Sequence, residues 1–207
     1  MTTATLPDPR FWDRIAPKYS RQAISDTAAY THKLALTQAI LRPDMRVLEV
    51  GCGTGGTARE HAPHVASYLG TDLSPAMIAI AKERAGGAPN LSFEARPWEA
   101  VEGGPFDAIL ALNVLHLVAD WEGAIARAHA MLPPGGAFVS STLCLTEAAG
   151  WLRVVAPVAK AVKLFPPVLT LFTRDAVLEA HRAAGFTLET IWQPTPKKAL
   201  FLIARKA

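Results

Sequence analysis

Between residues 47 and 57 the chain reads VLEVGCGTGGT, with a carboxylate at Glu49 and glycines at positions 51, 53, 55 and 56. Glycines at this spacing, after an apolar strand and before a helix, let the backbone take positive φ and approach a ligand closely. Two registers are present. Gly51, Gly53 and Gly56 spell G-x-G-x-x-G, the pattern of a dinucleotide site. Glu49 followed by Gly51, Gly53 and Gly55 is the other. A Walker phosphate loop is excluded, because no Gly-Lys-Ser/Thr follows. Both remaining registers tolerate Asp72, roughly twenty residues on, where a carboxylate accepts the two hydroxyls of a ribose.

Glu49 separates them. A negative charge just before the turn repels a pyrophosphate and attracts a cationic ligand. A ligand with an adenosine ribose, no phosphate and a positive charge is S-adenosylmethionine. The competing reading of Glu49 is a surface-facing glutamate at a strand end.

The elements that must carry these residues follow from periodicity. Phe11 to Leu41 is rich in helix formers and stops at Arg42-Pro43. Strands are expected at Arg46–Val50, Val65–Thr71, Leu91–Glu94, Phe106–Leu112 and Ala137–Leu143. Helices are expected from the glycine turn to Glu60, from Pro75 to Ala85 with Ser74 as cap, and over Trp121–Leu132. After an insert at 150–172, Arg174–Ala184 is a helix, and Phe186–Trp192 and Ala199–Ala204 are strands. The continuous apolar run FDAILAL suits a strand buried on both faces. Alternating strands and helices predict an α/β fold, a Rossmann-like sheet of seven strands with helices on both faces. Too few residues separate the last two strands for a crossover helix, so they should form a hairpin with the final strand antiparallel.

On these motifs the chain resembles the class I S-adenosylmethionine-dependent methyltransferases, in particular the small-molecule branch that includes quinone-biosynthesis enzymes. Four segments carry the resemblance in order: Glu49-Val50-Gly51-Cys52-Gly53-Thr54-Gly55; Gly70-Thr71-Asp72-Leu73-Ser74-Pro75-Ala76-Met77; Phe106-Asp107 through Asn113-Val114-Leu115-His116; and Leu132-Pro133-Pro134-Gly135-Gly136. It implies S-adenosyl-L-methionine as cofactor, with Gly51, Cys52, Gly53 and Gly55 around its methionine portion. Asp72 is implied at the ribose, Leu73 and Met77 on the adenine, and Asn113 near the sulfonium. It also implies an N-terminal helical lid, residues 1–42, whose Trp12–Tyr19 stretch closes over the cofactor, on a catalytic domain at 43–207. The family often carries an Asp-Ala pair after the third strand, whereas this chain has Arg96; Arg96, Pro97, Glu99 and Trp98 are the local candidates to read or cover the adenine.

Methyl transfer from a sulfonium needs alignment in a water-poor site more than it needs a base. His116 and Tyr19 are the candidate catalytic side chains, and no metal site is read from the chain. Within the insert, Arg153, Lys160 and Lys163 share one helical face opposite Trp151, Val155, Val158 and Val162. That pattern, with the Phe165–Phe172 run, suggests a hydrophobic or lipid-like small-molecule acceptor, or peripheral contact with a membrane surface.

The bulk properties agree. Half of the 207 residues are hydrophobic, 19% are charged and the formal net charge is +3. No dense basic stripe marks a nucleic-acid partner, and the expected location is cytoplasmic. An NAD(P)-dependent oxidoreductase using the same turn, or a cofactor-binding module without catalysis, are the alternatives. Oligomeric state is not legible.

Overall fold

The computed structural model describes residues 8–144 and 166–207. Of the insert at 150–172, only 166–172 therefore belongs to the described residues, and the amphipathic pattern over Trp151–Lys163 lies outside them.

Two helices lead, α1 (Arg10–Tyr19) and α2 (Thr27–Gln38). The α/β unit follows as β1 (Arg46–Val50), α3 (Gly56–His61), β2 (Ser67–Asp72), α4 (Pro75–Arg84), β3 (Leu91–Ala95), β4 (Ala108–Leu112), α5 (Trp121–Met131) and β5 (Ala137–Leu143). It closes with α6 (Arg174–Ala183), β6 (Phe186–Trp192) and β7 (Ala199–Lys206). The strands form one sheet in the order β3-β2-β1-β4-β5-β7-β6. β1 to β5 pair in parallel, while β7 is antiparallel to both β5 and β6. The hairpin expected from the short β6–β7 connection is present, with a register shift between Leu188 and Thr190.

Alternate residues along each strand face opposite sides of a sheet, and both faces here are covered. Leu48, Ile109, Phe138 and Leu202 pack with Ile125 of α5 and Val177 and Leu178 of α6. Val47, Tyr68, Leu110, Val139 and Phe201 pack with Ala58 of α3 and Ile78 and Ala81 of α4. The strand order reverses between β1 and β4, and such a switch point opens a crevice at the carboxyl ends of the strands. Among the described residues no helix is long and apolar enough to cross a membrane.

Candidate active site

The glycine turn occupies that crevice. Gly51, Gly53 and Gly55 have φ of 66°, 54° and 73°, in the left-handed region that L side chains avoid. Gly56 is not among the positive-φ glycines, and a Cβ built on it meets nothing within 4 Å. A Cβ on Gly55 would come within 2.7 Å of the Phe93 ring. The register that the backbone requires is therefore 51, 53, 55, and the literal G-x-G-x-x-G owes its last glycine to no steric demand.

Asp72 ends β2 beside this turn. Its Oδ2 accepts from the Gly53 N–H at 2.9 Å and its Oδ1 from the Ser74 N–H at 2.9 Å. One carboxylate thus fixes the turn after β1 to the start of α4. Burial raises its pKa from the usual carboxylate value, against the lowering effect of the two N–H groups. Glu49 is only 3% exposed, which rules out the surface-facing reading. Its Oε2 accepts from the Tyr68 hydroxyl at 2.8 Å, and burial pushes its pKa up to about 8. The Cys52 thiol is buried, and burial, with Glu49 and Asp72 next, pushes its pKa up.

A cavity of about 1390 Å³ runs along the crevice, lined by residues from all these elements. Glu49, the Gly51–Gly53 stretch, Asp72, Leu73 and Met77 line it on one side. Arg96, Pro97, Trp98 and Glu99 line it as well; the Arg96 N–H donates to the Asp72 carbonyl at 2.8 Å while its guanidinium pairs with Glu94 at 3.0 Å. The Trp98 ring has the Arg127 guanidinium 5.7 Å from its centroid.

At the other end Asn113 follows β4 with φ of 58°, the one positive-φ residue among the described residues that is not glycine. Its N–H donates to the Ser141 carbonyl at 2.7 Å and its Oδ1 accepts from the Ser141 hydroxyl at 3.4 Å. A non-glycine residue held in that region clusters at functional sites. His116 is buried and lines the cavity; its Nδ1 lies 3.3 Å from Thr142 Oγ1. Burial lowers its pKa to about 4, so it is neutral near pH 7 and a weak base.

α1 covers the crevice from above. Trp12 and Tyr19 line the cavity, and a Cβ on Gly53 would lie 3.7 Å from the Tyr19 ring. Asp13 Oδ1 accepts from the Ser74 hydroxyl at 2.5 Å and from the Ala76 N–H at 3.1 Å, at the N-terminal end of α4. Arg84, at the other end of α4, donates to the Ser20 carbonyl at 2.6 Å and to Thr54 Oγ1 at 3.2 Å. α4 thus holds the covering segment at both ends. None of Asp13, Tyr68, Arg84 or Lys33, another cavity residue, was legible as a site residue from the sequence.

The family described as a methyltransferase domain matches residues 19–191. The chain belongs to that family. Among similar proteins, a ubiquinone biosynthesis O-methyltransferase from Xanthomonas axonopodis pv. citri is 29% identical over 192 residues, covering 88% of this chain and 77% of that protein. A highly reducing polyketide synthase from Pyricularia oryzae is 30% identical over 146 residues; they are 62% of this chain and only 5% of the synthase. The solved structure of an S-adenosylmethionine-dependent methyltransferase from Mesorhizobium loti superposes with a TM-score of 0.71 at 25% identity, over 87% of this chain and 99% of that one.

The methyltransferase uses S-adenosylmethionine as its cofactor, and the donor set fits that molecule. A buried carboxylate that accepts from a phenol hydroxyl, with no cation in ion-pair range among the described residues, destabilises its own ionised form. A cationic ligand reverses that penalty, and a pyrophosphate would increase it.

Proposed function

We propose that this S-adenosylmethionine-dependent methyltransferase acts on a small, largely apolar acceptor. The observation that carries this reading is the size and lining of the cavity. At about 1390 Å³ it exceeds the roughly 300–1,000 Å³ of an ordinary ligand site, so it has room for a second molecule beside the cofactor. Ala23, Ile24, Val118, Val168, Leu169 and Trp192 supply apolar walls.

In this reading Asp72 holds the ribose and Leu73 and Met77 pack on the adenine. Arg96 and Pro97 offer backbone groups to its amino edge, and Trp98 covers it. Glu49 and the turn at Gly51–Gly53 face the charged methionine end. When bound, the cofactor supplies an electrophilic methyl on a sulfonium. Asn113 sits beside that end, and α1 with the Ser20–Asp26 segment excludes water from it. His116, neutral and hydrogen-bonded to Thr142, orients the acceptor in preference to taking a proton.

Incubating cell extract with methyl-labelled cofactor and the enzyme tests this. The label should enter a low-molecular-weight product that partitions into organic solvent. Label found only in protein or nucleic acid would overturn the acceptor assignment.

A further inference from the structure

Lys33 on α2 reaches the acceptor end of the same cavity, and nothing in the cofactor reading uses it. Its Nζ makes one weak polar contact, to the Ser141 hydroxyl at 3.5 Å. Among the described residues no carboxylate lies within ion-pair range of it. Asp26 at the start of α2 acts on it only at longer range, because the Asp26 carboxylate accepts from the Ala29 N–H and pairs with Lys198 at 2.8 Å. Ser141 in turn donates to Asn113, the strained residue at the end of β4. The lysine therefore stands two hydrogen-bond steps from the residue that borders the reacting end.

The surroundings mix apolar walls with a few polar groups and, among the described residues, place no carboxylate in ion-pair range of the ammonium. Tyr30 on the same helix, Asn113 and the neutral His61 line a pocket of about 50 Å³ that Lys33 shares with the main cavity. Burial is the first cause lowering the Lys33 pKa, with Asp26 opposing it, because the ammonium is partly withdrawn from water with no carboxylate in ion-pair range. A half-buried amine without a counter-ion, aimed into a cavity, gains most from an anionic oxygen of a ligand.

Resting on the methyltransferase reading, we propose that the acceptor carries an acidic hydroxyl, a phenol or an enol, and that Lys33 holds it as the oxyanion. The acceptor O–H bond breaks, its proton passes to solvent, the electron pair stays on oxygen, and the Lys33 ammonium pairs with that oxyanion. No redox partner is needed. Ser141 and Asn113 position the lysine and the oxyanion at the ends of β4 and β5.

The test uses protein loaded with S-adenosylhomocysteine at pH 6 and two probes, 4-nitrophenol for the phenol class and acetylacetone for the enol class. Each anion has its own absorption band. One of the two bands should appear on binding to the wild type and to Lys33→Arg, and be lost at least tenfold in Lys33→Met; the responding probe names the class. Absence of both bands in the wild type, or an undiminished band in Lys33→Met, would overturn the proposal. Thermal stabilisation by S-adenosylhomocysteine should be equal in wild type and Lys33→Met. If that stabilisation is missing from both, the cofactor reading fails, which is a separate result from the loss of the anion band.

Discussion

The two ends of the cleft are built on different terms. At the cofactor end polar groups are answered by backbone: Gly53 and Ser74 donate to Asp72, Cys52 donates to the Thr71 carbonyl, and Asp13 takes up the start of α4. At the acceptor end one short backbone bond, Asn113 N–H to the Ser141 carbonyl at 2.7 Å, stands beside long side-chain contacts, Lys33 to Ser141 at 3.5 Å and Ser141 to Asn113 at 3.4 Å. A site for an invariant ligand is best preorganised by rigid backbone. Side chains with spare hydrogen-bonding capacity suit the half that must distinguish one acceptor from another. Glu49 stands apart from this division, a buried acid at the cofactor end with no cation in ion-pair range among the described residues.

The strongest way to break the contrast is Asp72→Ala. It removes two charge-assisted hydrogen bonds that fix the turn, along with the ribose partner. Each such bond is worth about 1.5–3 kcal/mol, so calorimetry should find cofactor affinity lowered by a factor of about 100 or more. A normal affinity would show that the turn is ordered without its carboxylate.

Glu49 gives the next effect, a pH-dependent one. The folded-state pKa of about 8 lies above the value of about 4.3 in an unfolded chain. Between those values the folded protein holds a proton that the unfolded chain lacks, so this group's contribution to stability is fully present below about pH 4.3. It is lost as pH rises through about 8. Without cofactor, Glu49→Gln should therefore melt higher than wild type by a margin that grows from pH 6 to pH 8.5. A cation beside Glu49 favours its ionised form, so binding of the sulfonium cofactor should tighten by up to tenfold per unit as pH rises toward about 8. Glu49→Gln should flatten that dependence. The same side chain thus costs stability and confers selectivity.

Gly55→Ala and Gly56→Ala form a smaller pair. The first places a Cβ in the left-handed region and against Phe93, at a cost of about 2 kcal/mol. That lowers Tm by roughly 4–8 °C for a chain of this size. The second meets open space and should leave Tm within about 2 °C. Equal losses would contradict the register assigned to the turn.

Asp13→Ala should have the smallest effect. Ser74 still accepts from the Met77 N–H and caps α4, so the loss is about 1 kcal/mol. It should appear as faster amide hydrogen exchange in α1, with exchange in β1 and β4 unchanged.

Much of this was legible in the sequence, and the misses have physical causes. β1, β5 and β6 begin and end at the expected residues, because Pro, Gly or charged residues bracket their apolar runs. β2 starts at Ser67, two residues later than expected, since Ala62–His64 form a short 3-10 turn that carries Val65 into the core as a loop residue. β4 is assigned from Ala108, although the Asp107 backbone still donates to the Arg46 carbonyl at 2.8 Å and accepts from the Ala137 N–H at 3.0 Å, and its carboxylate takes up the Arg46 N–H. β7 runs on to Lys206, paired with Phe186.

In the site, Glu49 and Asp72 were legible because an acid beside glycines, or at the end of an apolar run, has few reasons to be there. Lys33 and Arg84 were not, since a lone cation in a helix reads the same whether it faces water or a cavity. Tyr68 looked like any alternating strand aromatic until its hydroxyl was placed on Glu49.

A buried acid and a positive-φ glycine turn make this crevice a site for a sulfonium nucleoside. Differential scanning fluorimetry of the wild type with S-adenosylmethionine and, separately, with NAD tests it most directly. At 100 times its Kd a single-site ligand stabilises by about 2.7 kcal/mol, which should raise Tm by roughly 5–10 °C with S-adenosylmethionine and leave it unchanged with NAD. Stabilisation by NAD without stabilisation by S-adenosylmethionine would contradict the account.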